Sequence, residues 1–438
     1  MAKNFHEIRD PIHIFVRMDS DERKVLDSAP FQRLRHIHQL ALTYLIYPGA
    51  THRRFEHSVG VMELASRIFD VVTHDDNISD PVKELIPEIR LADSRNYWRR
   101  VLRMAALCHD MGHLPFSHAA EDLLPAGIKH EAITAAIVRS EVMKGIWESM
   151  TPPLRVDDVV KLALGPKEAK DLKFSTWEAI LAEIIVGDAF GADRMDYLLR
   201  DSYHAGVAYG RFDHYRLIDT LRILPSPPRD EKRDGHVAEL GVEEGGLRSA
   251  EALMLARYFM YSQLYFHQVR RIYNEHLMDF LRAWLPGGKF DTSVQAHLTL
   301  TDNEVNSNMA LAARDSSHPA HDPARRIVER DHFRLIYERN PDDVRINPRA
   351  GESVFLALKK EFDEKLLKYD FKSGTNAAPD FPVRMHDSRI VSSMAVSETL
   401  PKLPVPTVDF VFADRSLADQ TRNFIKEQRQ RILEIKED

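Results

Sequence analysis

The residues in this chain best suited to chemistry are the adjacent pair His109 and Asp110, with His57 ahead of them and Asp193 behind. Imidazole nitrogens and carboxylate oxygens, with no thiolate, suit a hard or borderline divalent ion. Four such ligands on an octahedral ion leave positions for water and a phosphate. That is the outline of a hydrolytic metal site. The segment ALCHDMGHLPFSHAAEDLL adds His113 and His118, and its Gly112 and Pro115 fold the chain back so that later histidines can face earlier ones. His118 and Glu121 share a helical face at a spacing of three. An imidazole oriented by a carboxylate is the usual form of a proton-transfer group near neutral pH. The plainer alternatives are a hydrogen-bonded core histidine at each position and a surface ion pair for His118 with Glu121.

These residues need helices to position them. From His57 to Val72, Val61, Leu64, Ala65, Ile68, Phe69 and Val72 recur at intervals of three and four, which predicts an amphipathic helix with His57 on its inner side. A second helix is expected from Tyr97 to His109, stopping near Gly112, so the doublet sits at its inner end. TWEAILAEIIVGDAF reads as a third, broken near Gly187 or Gly191. In ADRMDYLLRDSYHAG beyond it, Asp193, Tyr197 and Asp201 line one face. Ser249 to Trp284 reads as one or two helices. PSPPRDEKRDGHVAELGVEEGG reads as an exposed loop with a short hairpin, and LPGGKFD and DSSHPAHDPARR as loops. VPTVDFVFAD is a strand candidate, followed by a terminal helix in LADQTRNFIKEQRQRILEIKED. The seam is placed after Trp284: residues 1–285 form a mainly α-helical core, and residues 286–438 a smaller mixed α+β region serving oligomerisation or regulation.

Composition narrows the function classes. The 438 residues are 44% hydrophobic and 29% charged, as in globular proteins. No apolar run reaches the ~18 residues of a membrane span, and no secretory signal is visible, so a cytoplasmic protein is expected. Cys108 is the sole cysteine, which excludes an intrachain disulfide and any thiolate-rich metal site. A net charge of -7 argues against a general nucleic-acid binder, while a small anionic ligand needs only local arginines.

THRRFEHSVGVMELA, ALCHDMGHLPFSH, HEAI at His130 and GADRMDYLLRDSYHAG, in this order, resemble the signatures of HD-domain phosphohydrolases, and more narrowly of deoxynucleoside triphosphate triphosphohydrolases. The likeness runs from about Asp27 to His276. It implies an HD helical core in which His57, His109, Asp110 and Asp193 bind one divalent ion, with manganese, magnesium, iron, zinc and nickel left open. It implies a phosphate contact at Arg54, further phosphate contacts at His113, Arg194 and Tyr197, and catalytic or phosphate-contacting roles for His118, supported by Glu121, and for His130, with proton delivery to the departing 5′ oxygen assigned by preference to His118 and the choice between the two left open. Gln39, Leu40 and Asp201 match positions that read the sugar, and Tyr273 the aromatic packed on it. Asp27, Gln32 and Arg35 resemble positions with which some members bind a guanine nucleotide as activator between subunits of a tetramer or hexamer. The expected activity is hydrolysis of a dNTP to deoxynucleoside and triphosphate. The alternatives are an HD phosphohydrolase acting on nucleoside monophosphates or signalling nucleotides, and a non-catalytic nucleotide sensor.

Overall fold

A computed structural model describes residues 5–226, 238–373 and 378–434, apart from the side chain of His118. The expected mainly α-helical core and smaller mixed α/β region are both present. The chain forms two compact units, and it divides differently from the expected 1–285 and 286–438. One unit is Met1–Met260 with Asp291–Asp302 and Ala377–Leu403; the other is Tyr261–Phe290 with Asn303–Asn376 and Pro404–Asp438. The reason lies in the helix Gln268–Trp284. Its Ile272 packs with Phe333, Val408, Phe410 and Phe412 into one apolar cluster, so the helix joins the second unit and the seam moves back to Met260.

The first unit is built on helices Arg54–Val72, Ala92–Cys108 and Ala192–Ala205, the first packing on both of the others. The period that predicts the first of these is the period that is buried. Val61, Leu64, Ala65, Ile68 and Val72 are fully covered, and each large aliphatic side chain among them stabilises by about 1.5–3 kcal/mol. Both helices that flank the doublet's cluster start earlier than expected, at Arg54 and Ala92. A helix Thr176–Val186 is opened by a reciprocal cap: Ser175 Oγ accepts from the Glu178 amide at 3.2 Å, and a Glu178 carboxylate oxygen accepts from the Ser175 amide at 2.7 Å. Gly206, at φ 72°, ends Ala192–Ala205 in the left-handed conformation that favours glycine.

Strands His6–Asp10 and Ile14–Met18 pair as an antiparallel hairpin that the sequence reading did not foresee. The expected short hairpin is there as Leu221–Pro225 against Ala238–Glu243; residues 227–237 of that segment lie outside the described residues. It extends through Pro382–Arg384 and Ile390–Ser392 into a four-stranded sheet of the first unit.

In the second unit, the expected strand Thr407–Ala413 is the centre of a three-stranded sheet between Arg334–Glu338 and Leu367–Ser373, and the expected terminal helix runs from Ala418 to Glu434. Part of DSSHPAHDPARR, expected as loop, is helical from His321 to Val328. Pro323 sits in the first turn, where its missing N–H is not needed, and Ala324 and Ile327 are buried. No helix among the described residues is long and apolar enough to cross a membrane.

Candidate metal and phosphate site

Three helices converge on the doublet. His57 stands one turn into Arg54–Val72, His109 and Asp110 follow the end of Ala92–Cys108, and Asp193 lies in the first turn of Ala192–Ala205. His57 Nε2 is 3.0 Å from Asp193 Oδ1 and 3.6 Å from Asp110 Oδ2. His109 Nε2 is 3.3 Å from Asp110 Oδ1 and 3.6 Å from Asp193 Oδ1. His57, His109 and Asp110 are buried, and they offer ligand atoms within 4.8 Å of one another. Asp193, with its side chain 35% exposed, forms the open side.

The donor set suits a cation. His109 Nδ1 donates to the Ala106 carbonyl at 2.7 Å, which fixes the ring; its Nε2, buried and facing the carboxylates, has no hydrogen-bond partner among the described residues. Without an ion, the carboxylates of the cluster favour protonated imidazoles. Burial works against charge on His57, but Asp193, Asp196 and Asp110 outweigh it and push the imidazole up to about 10. His109 is raised by the same balance of burial against Asp110 and Asp193. Burial opposes ionisation of Asp110 too, yet Arg54, His109 and His113 hold its carboxyl well below the usual carboxylate range. Asp193 is held low by His109 and His57 against the same opposition. A divalent ion would replace the imidazole protons.

Arg54 closes one flank. Its Nη1 donates to Asp110 Oδ2, and its Nε donates to Ser117 Oγ at 2.7 Å. Phe116 and Ser117 both have φ of 57°, a strained conformation for residues other than glycine, costing on the order of 1 kcal/mol or more each. Asp302 holds that turn: its Oδ1 accepts from the Phe116 amide at 2.8 Å, and its Oδ2 accepts from the amide and ring of His38.

On the other flank, His113 Nε2 is 3.2 Å from Asp110 Oδ1, and its ring stacks on that of His130 at 3.9 Å. His130 Nδ1 donates to Glu121 Oε1 at 2.6 Å. The sequence reading set Glu121 beside His118, whose side chain lies outside the described residues; the described bond of Glu121 is to His130. The His113 imidazole is driven well below its ordinary value by burial, Arg54 and His130, so it is neutral. Gly112 permits the approach of His130–Val138, because a Cβ there would lie 2.1 Å from the His130 carbonyl oxygen.

The remaining expected residues fall into four groups. Gln39 and Asp201 both bond His52, by different parts of it: the Gln39 backbone N–H donates to the His52 carbonyl at 3.0 Å, and the His52 ring Nε2 donates to buried Asp201 at 2.7 Å. The Gln39 Oε1 is buried without a hydrogen-bond partner among the described residues, and Leu40 beside it is buried. Arg194 and Tyr197 follow Asp193 on its helix and are partly exposed, Arg194 lying 3.8 Å from Asp188. Tyr273 belongs to the second unit, where its ring is buried against His332.

Asp27, Gln32 and Arg35 lie near the surface and bond locally. Asp27 accepts from Arg23, Gln32 Nε2 donates to the Leu26 carbonyl, and Arg35 Nε donates to Gln32 Oε1. Sequence reasoning missed the buried groups behind His57, namely Asp196, Arg200, Asp10 and His13. The spacing that could have found the first two is Asp193, Asp196 and Arg200 on one helical face.

A family profile for the HD domain matches residues 54–200, and one for the HD associated region matches residues 212–353. The chain belongs to the HD-domain family. The matched HD region contains all four candidate ligands. An uncharacterized protein of Methanocaldococcus jannaschii is 34% identical over 60% of this chain and 47% of its own length. The deoxynucleoside triphosphate triphosphohydrolase SAMHD1 of Gallus gallus is 27% identical over 78% of this chain and 57% of its own. The solved structure of a hypothetical protein from Aquifex aeolicus shares 30% identity with this HD-domain chain at a TM-score of 0.76, covering 96% of this chain and 99% of that one. The chain spans about half the length of the curated relatives it matches.

Proposed function

We propose that this HD-domain protein is a metal-dependent hydrolase that splits dNTPs into deoxynucleoside and inorganic triphosphate. The observation that carries the reading is the convergence of buried His57, His109 and Asp110 with part-exposed Asp193, flanked by an arginine on one side and a carboxylate-oriented histidine on the other. A divalent ion held by the four ligands would supply Lewis acidity at the α-phosphoryl group and make water a better nucleophile. Water oxygen bonds to the α-phosphorus, the bond to the 5′ oxygen breaks, and that oxygen takes up a proton.

The protein's own groups serve each of these needs. Arg54 is fixed at Asp110 and Ser117, where its guanidinium can bind phosphate oxygens as charge shifts onto them. His130, oriented by Glu121, can deliver the proton; His118 is the second residue proposed for that step. His113, Arg194 and Tyr197 are the further phosphate contacts in this reading. The unpartnered oxygen of Gln39 suits a sugar hydroxyl, with Leu40 and Asp201 completing that end.

By the resemblance, the proposal extends to a homo-oligomer, to a cytoplasmic location and to a guanine-nucleotide effector at Asp27, Gln32 and Arg35. An effector there would exchange the bonds these groups make to Arg23, to the Leu26 carbonyl and between Arg35 and Gln32 for bonds to itself.

The test is incubation with each dNTP, singly and mixed, with manganese or magnesium and with or without GTP, resolving the products by chromatography. Intact triphosphate is the expected product. Orthophosphate or pyrophosphate would point instead to an HD phosphohydrolase acting on other nucleotides, and binding without turnover to a nucleotide sensor.

A further inference from the structure

Behind the cluster lies a run of buried polar groups that leads away from it. Asp196, fully buried, receives four hydrogen bonds. His57 Nδ1 donates to Oδ2 at 2.8 Å, His13 Nε2 donates to Oδ1 at 2.7 Å, and Arg200 binds both oxygens at 2.8 and 2.9 Å. Arg200 also reaches Asp10 Oδ2 at 2.8 Å, and Asp10 Oδ1 accepts the amides of Ile12 and His13, both at 2.8 Å. Gly60 makes room for this meeting, since a Cβ there would lie 2.0 Å from Asp196 Oδ1.

We propose that Asp196 and His13 are positioning residues for the metal ligand His57. The inference rests on the metal reading of His57 and deepens it. A carboxylate can only accept, so the bond from His57 Nδ1 fixes the proton on that nitrogen and leaves Nε2 as the ligand atom, held toward Asp193 and Asp110. His13 acts one step further out. Its N–H holds the second oxygen of Asp196, so that the carboxylate presents Oδ2 to His57 and does not swing toward Arg200 alone. The hairpin turn at Asp10–Ile14 thereby fixes the orientation of a ligand on the helix Arg54–Val72, through two hydrogen bonds and no direct contact with an ion.

The experiment measures the dissociation constant for manganese by titration calorimetry on the full chain, alongside the melting temperature of the metal-free protein. Asp196→Asn should weaken manganese binding by about 10–100-fold, the usual cost of losing an outer partner of a ligand. His13→Leu should weaken it by about tenfold, and His13→Gln, whose amide can still donate to Asp196, should stay within about threefold of the unaltered chain. The His13 pair decides the matter even where Asp196→Asn does not fold, because both variants alter the same position and differ in the hydrogen bond.

Equal weakening in His13→Leu and His13→Gln would overturn the inference, as would unchanged affinity in both. If the unaltered chain binds no manganese or magnesium, the metal reading of the site fails first, and this inference falls with it. That outcome is distinguishable from tight binding in the unaltered chain with no difference between the variants.

Discussion

The metal cluster and the segment Asp27–Arg35 both gather groups able to grip part of a nucleotide, and they differ in what those groups already hold. At the cluster, two imidazoles and a carboxylate are buried, and His109 Nε2 has no hydrogen-bond partner among the described residues. At the segment, Gln32 is bonded at both ends of its amide, Asp27 faces Arg23, and Arg35 lies over the Phe55 ring at 3.5 Å. Burying polar groups without partners is costly, so an arrangement of that kind persists where a ligand completes it. Exposed groups that satisfy one another need no ligand. The cluster therefore leaves a buried ring nitrogen unbonded while the segment's groups are already bonded, and a ligand at the segment would gain only the difference between old bonds and new.

The strongest way to break this contrast is to remove a ligand carboxylate. Asp110→Asn should take triphosphate release below detection and abolish manganese binding, while far-ultraviolet circular dichroism shows the helices retained. Persisting hydrolysis in that variant, after chelation, would sink the metal reading. Next in size is the proton-transfer flank. His130→Gln should lower kcat by about a hundredfold with manganese affinity unchanged, and Glu121→Gln, which keeps the ring but weakens its orientation, by about tenfold. If His130→Gln leaves kcat intact, the proton passes through His118.

The pH dependence tests the cluster directly, because its carboxylates favour a proton on His57. The His57 imidazole rises from an ordinary 6.5 to about 10 in the metal-free protein. A raised value means that the protonated form favours folding: the contribution is full below 6.5 and is lost as pH climbs through about 10. The melting temperature of the chelator-treated protein should therefore fall over that range. Manganese competes with the same proton, so its affinity should rise over the same range. Affinity that is flat over that range would mean that no proton on His57 competes with the ion.

How much of this was legible in the sequence depended on the kind of interaction. Helix positions were readable because burial follows a period: Leu64, Ile68 and Phe69 are inside where the spacing puts them. The doublet and His57 were readable as ligand types on inner faces. Asp196 was not, since an aspartate one turn before an arginine looks like a surface ion pair until the helix Arg54–Val72 covers it. The bond from His130 to Glu121 was hidden too. Its two residues sit nine apart across a turn, whereas the spacing of three between His118 and Glu121 is visible on any helix. The seam was misplaced because the apolar face of Gln268–Trp284 says that it is buried and does not say against which strand.

The smallest effect is expected at the segment, and it tests the other half of the contrast. Arg35→Ala removes a guanidinium from an aromatic face and from Gln32, a change worth about 0.5–1 kcal/mol at an exposed position, so the melting temperature should move by only a few degrees at most. Hydrolysis without added GTP should stay within about twofold, because none of the described bonds of Arg35 touches the cluster. Any stimulation by GTP should disappear, since Arg35 is the cationic member of the three proposed contacts. Full stimulation in Arg35→Ala would show that guanine recognition lies elsewhere. The segment would then be what its internal bonding already describes, a surface turn whose arginine is held by its own neighbours.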